Sequence, residues 1–197
     1  MSYNIYTTKG IILSARPIRE ADRLYSILTR DLGLIYARAL GVRKEVSKLR
    51  PGLEPVSLSD ISLVKGQAYW RLTSSSLNTS MLTIERSKKK IALALLRALA
   101  LLEKLVQGEE KHKELFDTVE EIFLFSRSEF INNDHAESIE IILVARILNK
   151  LGYLGNKDIP EGVLEDELSV DLLQIVAINK RKMFEFINLG LRSTELV

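Results

Sequence analysis

The spacing of apolar residues changes once along this chain, near Ser80, and the change demands two modules of different secondary structure. From Thr8 to Ser76 the sequence consists of short runs of Ile, Val, Leu, Tyr and Thr broken by Gly, Pro, Asp and Ser. Such runs are strands separated by turns. They fall near Gly10 to Ala15, Arg23 to Arg30, Leu34 to Leu40, Glu54 to Val64 and Tyr69 to Ser75. Asp31-Leu32-Gly33 predicts a tight hairpin with Gly33 at positive φ, and Lys65-Gly66-Gln67 a second one. In the fourth run Val56 and Leu58 share one parity while Ile61 and Leu63 share the other, which predicts a bulge within that strand. Five strands in about 70 residues, with one long linker before the fourth, suit a small OB-like Greek-key barrel. A small open sheet is the alternative.

Beyond Ser80 the period is helical. Ile84 to Val106 is apolar on nearly every side and reads as the central helix of a bundle, ending at Gly108. Leu115, Phe116, Val119, Ile122 and Phe123 mark a second helix. A third follows an Asp134 N-cap, carries Ile139, Ile142, Leu143, Ile147 and Leu148 inward, and stops at Gly152 and Gly155. After a loop from Asn156 to Glu167, a last helix spans about Val170 to Leu191. The expected fold class is therefore α+β and multidomain, an N-terminal five-stranded OB-like β-barrel over residues 1–80 followed by a C-terminal α-helical bundle over 81–197.

Charge divides at the same place. Residues 1–80 carry 12 Lys and Arg against 6 Asp and Glu, whereas the remainder carries 16 against 20. A basic barrel beside an acidic bundle predicts different partners for each. With no cysteine and only His112 and His135, disulfides, thiolate catalysis and cysteine-ligated metals are excluded, and no metal or other cofactor is expected. Paired acids such as Glu120-Glu121 read as solvated surface. No catalytic motif stands out, so a non-enzymatic binder is expected. The first residues lack a basic stretch followed by an apolar run, and Ile91 to Leu102 is too short to span a bilayer, so the expected location is the cytoplasm.

The barrel cations fall in loops and strand ends, where an OB-like barrel meets nucleic acid across its second and third strands. Arg16, Arg19 and Arg23 flank the first turn; Arg43, Lys44, Lys48 and Arg50 follow the third strand; Arg38, Lys65 and Arg71 complete the candidate phosphate contacts. Tyr25, Tyr36, Tyr69 and Trp70 are either base-stacking platforms or core fillers, and spacing does not choose between them. Among bundle cations, Lys88, Lys89, Arg146 and Lys150 are candidates for docking a protein, with a solvated helix face as the alternative. A protein-interaction adaptor and a nucleic-acid enzyme are the rival functions.

The ordered segments Gly10-Ile11-Ile12-Leu13, Glu20-Ala21-Asp22-Arg23-Leu24, Leu28-Thr29-Arg30-Asp31-Leu32-Gly33-Leu34-Ile35, Ala39-Leu40-Gly41-Val42-Arg43, Ser47-Lys48-Leu49 and Leu53-Glu54-Pro55 resemble the opening of RecO proteins. Leu63-Val64-Lys65-Gly66 and Trp70-Arg71-Leu72-Thr73 extend the resemblance through the barrel, and Leu151-Gly152-Tyr153 resembles the end of a helix in the family's bundle. The resemblance implies a nucleoid-associated recombination mediator that binds single- and double-stranded DNA, anneals strands, and works with RecR and the acidic tail of single-stranded-DNA-binding protein (SSB). It also implies that Arg43, Lys44, Lys48 and Arg50 occupy the family's basic loop. Many family members carry a four-cysteine zinc module after the Gly-Tyr motif; Gly155-Asn156-Lys157-Asp158-Ile159-Pro160 stands there instead, so zinc is not expected.

Overall fold

The computed structural model describes residues 4–80, 88–106, 108–155 and 159–194. The chain divides into two compact units, one formed by residues 1–83 with 106–116 and the other by 84–105 with 117–197. The single cut expected at Ser80 thus misses a return of the chain: residues 106–116 belong with the strands.

In the first unit, β1 (Ile5–Pro17), β2 (Arg23–Thr29), β3 (Gly33–Ala39), β4 (Ser57–Val64) and β5 (Trp70–Ser80) form a closed barrel in the order β1-β2-β3-β5-β4. This is the OB-like arrangement expected. Closure depends on β1 being longer than its apolar run suggested. Its first part pairs with β4, from Ile5 against Val64 to Ile12 against Ser57, and its later part with β2, from Gly10 against Thr29 to Pro17 against Arg23. Leu13 is the extra residue where the β1–β2 register shifts, and the bulge bends β1 from one neighbour to the other. Further shifts between β4 and β5 leave Thr73 and Asn78 of β5 unmatched. The bulge expected in β4 lies on its neighbours instead, because the odd positions of β4 face inward throughout, with Ser57 and Ser59 fully buried in line with Ile61 and Leu63.

The barrel interior holds Ile12, Tyr25, Ile27, Ile35, Ala37, Ala39, Ile61, Leu63, Trp70 and Leu72, with Val42 and Leu53 from the connections. Gly10 leaves the room that Ile27 and Ile61 occupy, since a Cβ there would lie 2.8 Å from Ile27 Cγ2 and 2.9 Å from Ile61 Cδ1. The β2–β3 hairpin turns as expected at Gly33, whose φ is +72°. Glu110 from the returning segment approaches so closely that a Cβ on Gly33 would overlap its carbonyl oxygen. The β4–β5 connection is looser than a tight hairpin, with five residues between the strands.

The second unit contains α1 (Lys89–Leu105), most of α2 (Lys113–Phe125), α3 (Ala136–Lys150), α4 (Val170–Ile178) and α5 (Lys180–Arg192). Residues 84–87 of the expected first helix lie outside the described residues, as do 156–158 of the expected loop. The third helix enters through a 3₁₀ turn, Asn133–His135, capped by Asn132 and not by Asp134: the Asn132 side chain accepts from the Asp134 backbone while the Asn132 N–H donates to His135 Nδ1. His135 is thereby a capping residue. The expected last helix is two, broken at Asn179, whose side chain and backbone N–H both donate to the Ile175 carbonyl. α3 packs against α1, α4 and α5 and is the buried centre of this unit. No helix of the described residues is long and apolar enough to cross a membrane.

Replacing Gly33 by Ala forces a left-handed backbone on a side chain and adds the overlap with Glu110. We expect a loss of about 1–3 kcal/mol from the backbone term alone, read by urea unfolding.

Candidate nucleic-acid interface

Two barrel connections carry most of the candidate cations, and one carboxylate joins them. Asp22, in the turn between β1 and β2, accepts from Arg38 Nη2 on β3 at 2.5 Å and from the Gly41 backbone N–H at 2.8 Å. The Arg43 backbone N–H donates to the Ala21 carbonyl at 3.1 Å, and Arg43 Nη1 to the Glu20 carbonyl at 3.0 Å. Gly41 turns the chain at φ +63°. The turn after β3 is therefore laced to the turn after β1, and Arg43 and Lys44 are presented from a fixed backbone. The Arg38 guanidinium and the Gly41 N–H hold the Asp22 carboxyl below its ordinary value of 3.8.

The next stretch of basic loop is fixed by serine hydroxyls. A 3₁₀ turn, Arg50–Leu53, starts with Pro51 at its first positions. Ser59 Oγ donates to the Gly52 carbonyl at 2.7 Å, Ser57 Oγ to the Glu54 carbonyl at 2.5 Å, and Ser75 Oγ to the Leu49 carbonyl at 2.8 Å. Such bonds to otherwise unpaired carbonyls explain why β4 and β5 place serines where an apolar residue was expected.

Arg23, Arg43 and Arg50 come together. They line one cavity at the mouth of the barrel with Tyr25, Val42, Leu53, Glu54 and Pro55. Arg23 continues the inward row of Tyr25 and Ile27, so it crowns the barrel where the row leaves the core. Arg16 pairs in register with Leu24 and Arg19 lies near Asp22, both exposed beside this mouth; Lys44 and Lys48 are exposed on the loop. Glu20-Ala21-Asp22-Arg23 and Leu53-Glu54-Pro55 were visible in sequence as motifs, but the role of Asp22 in binding the two turns together was not.

Lys65, Arg38 and Arg71 lie elsewhere. Arg38 and Arg71 are paired neighbours across the parallel β3–β5 seam, and Arg38 is engaged by Asp22. Lys65 Nζ lies 3.8 Å from Glu109 Oε2 and 5.5 Å from the centre of the Trp70 ring. Glu109 also accepts from Trp70 Nε1 at 2.8 Å, and Tyr6 packs edge-on against the indole.

The aromatics separate clearly. Tyr25 is 2% exposed and Trp70 4% exposed, so both fill the core and neither is a stacking platform as placed. Both occupy inward parity, Tyr25 two residues before Ile27 and Trp70 two before Leu72. Tyr36 and Tyr69 are 44% and 46% exposed and line one small cavity with Lys65, and these are the aromatic faces open to a ligand. The expected track across the second strand is narrowed as well, because its outward residues Leu24, Ser26 and Leu28 are buried.

In the helical unit the candidate docking cations do not form a site. Arg146 is 3% exposed; its Nε donates to the Val163 carbonyl at 2.9 Å, its Nη2 to the Asp166 carbonyl, and its Nη1 meets Glu121 at 3.4 Å. Burial pulls its pKa down against the pull of Glu121 and Asp166. It is a tie between α3 and the turns before α4, not a surface cation for a partner. A buried Arg on an otherwise apolar helix looks like a surface position in sequence because its carbonyl partners are invisible there. Lys88 Nζ donates to the Ser128 carbonyl at 2.6 Å and so closes the end of α2. Lys89 and Lys150 are exposed at the first residue of α1 and the last of α3. Among the described residues no group of three His, Asp or Glu could hold a metal ion.

Residues 1–81 match the model of the recombination protein O N-terminal family. A DNA repair protein RecO of Dehalococcoides mccartyi is 43% identical over 89 residues, covering 45% of this chain and 35% of that protein. One from Synechococcus sp. is 46% identical over 67 residues, 34% of this chain and 24% of that protein. One from Clostridium perfringens is 30% identical over 146 residues, 74% of this chain and 56% of that protein. The matches thus span between about a quarter and just over half of these relatives' length.

Asp22→Asn keeps an acceptor for Gly41 but removes the charge beside Arg38. A carboxyl with a lowered folded pKa stabilises above about pH 3.8 and loses that contribution as pH falls through the folded value. Wild type is therefore expected to be more stable than the variant at neutral pH, with the gap closing below about pH 4, as read by thermal unfolding across pH. Arg146→Ala strands two backbone carbonyls and Glu121; a loss of about 2 kcal/mol or more is expected in urea unfolding.

Proposed function

From the premise that this chain is RecO-like, its first 81 residues matching the RecO N-terminal family, we propose that it binds DNA through the barrel-mouth loops and acts in recombinational DNA repair. The observation that carries the proposal is the fixed presentation of Arg23, Arg43 and Arg50 around one cavity, with Lys44 and Lys48 on the same loop. Guanidinium groups on a fixed backbone hold phosphate oxygens without an ordering cost at the moment of binding, and they carry no base preference. Tyr36 and Tyr69 supply the faces for unpaired bases.

In this reading the protein is not an enzyme. It grips sugar-phosphate, brings complementary single strands together for annealing, and with RecR helps load recombinase on DNA coated by SSB. Single- and double-stranded DNA both meet the barrel mouth, because phosphate is common to them. The helical unit is the side for protein partners, the SSB tail among them; Lys89 and Lys150 remain as its exposed candidate cations. The location that goes with this activity is the cytoplasm, on the nucleoid.

The test is the salt dependence of single-stranded DNA binding by fluorescence anisotropy. Each phosphate that the protein no longer neutralises lowers the slope of log K against log salt by about 0.7. An Arg43, Lys44, Lys48, Arg50 quadruple alanine variant is expected to lose roughly 3 units of slope. An unchanged slope in a folded variant removes the loop from the interface. Wild type that binds no DNA at low salt leaves the barrel as a protein-interaction adaptor. Strand annealing in the presence of SSB then separates a mediator from a simple DNA binder.

A further inference from the structure

The cavity at the barrel mouth has a shape and charge that a phosphate track does not need. It encloses about 420 Å³ and has a floor: Tyr25, Val42 and Leu53 are core residues, buried to 2% exposure, so a ligand enters and stops there. A phosphodiester within a strand would have to run in and out again. Three guanidiniums against the one carboxylate of Glu54 leave a local charge of +2, twice what an internal phosphodiester brings and a match to a phosphomonoester of about −2.

The donors are available. Among the described residues Arg23 and Arg50 form no ion pair with a carboxylate, and Arg43 commits one Nη to the Glu20 carbonyl. Burial raises the Tyr25 pKa, and the Arg23 side chain donates to its hydroxyl, so the phenol keeps its proton as a further donor on the floor.

The wall beside the cavity is strained. Val56, next to Pro55, has φ +58° and is completely buried. A β-branched residue in the left-handed region is an outlier that costs energy unless its surroundings enforce it. They do: the Val56 N–H donates to the Ile12 carbonyl at 2.9 Å, and the Ser57 hydroxyl bonds back to the Glu54 carbonyl. The strain sets Leu53, Glu54 and Pro55 as the wall facing the arginines.

We propose that the cavity lined by Arg23, Arg43 and Arg50 is a socket for the terminal phosphate of a DNA strand, so that the protein prefers phosphorylated strand ends to strand interiors. This rests on the reading that the barrel binds DNA and adds where on a strand it seats.

The experiment compares otherwise identical internally labelled single strands that carry a 5′-phosphate, a 3′-phosphate, or hydroxyls at both ends, by anisotropy with the full chain. One phosphorylated strand is expected to bind about tenfold more tightly than the hydroxyl-ended one, and the arm that does so identifies the end recognised. In an Arg23→Gln, Arg50→Gln variant the advantage should vanish while hydroxyl-ended DNA still binds through Lys44 and Lys48. Glu54→Gln, which removes the opposing charge without touching an arginine, should enlarge the advantage. Equal affinity of wild type for all three strands overturns the socket and leaves DNA binding standing; no binding to any strand overturns both.

Discussion

Much of the first unit depends on one carboxylate. Asp22 sits in the turn between β1 and β2, yet its two oxygens fix a strand on one side and the following turn on the other, through Arg38 and the Gly41 N–H. A charge-assisted bond to a guanidinium and a bond to a backbone donor are the strong members of their kind, and here they converge on one group. The loop of cations after β3 would otherwise be a solvated string of like charges, repelling one another and free to fold away. Anchored at Gly41 and again at the Arg43 backbone, it has one conformation, and the positive field at the barrel mouth has one direction.

The strands, their turns and the inward faces of α2 and α3 were legible because each rests on a local period that sequence displays directly. What was not legible came from pairs of residues far apart. Ser57 and Ser59 look like outward positions, yet they face inward because the loop from Leu49 to Glu54 brings carbonyls that need donors. Tyr25 and Trp70 are chemically equal to Tyr36 and Tyr69 as stacking candidates; only the parity set by closure decides that the first two fill the core. The break at Asn179 escaped because the apolar residues of α4 and α5 keep a helical spacing across it.

The candidate site shows the same division. The sequence marks the basic loop by composition, four cations near a single acid, and the RecO resemblance marks it by motif. Neither indicates that Arg23, twenty residues earlier than Arg43, stands over the same cavity, because that follows from its place at the end of an inward row. Nor does composition distinguish a cation open to solvent from Arg146, whose charge is satisfied inside its own unit by carbonyls from the turns before α4.

The pairing of β1 with β4 also orders events in time. Ile5 meets Val64 across almost the entire barrel sequence, and the Val56 N–H that braces the mouth finds its acceptor on Ile12. Contacts that distant form late, after the loop they close has been made. A chain emerging from synthesis therefore carries all of its arginines before it owns the cavity they line, and up to that moment it is a flexible polycation with no defined grip. Recognition by this barrel switches on with its last strand pairing, in one cooperative step.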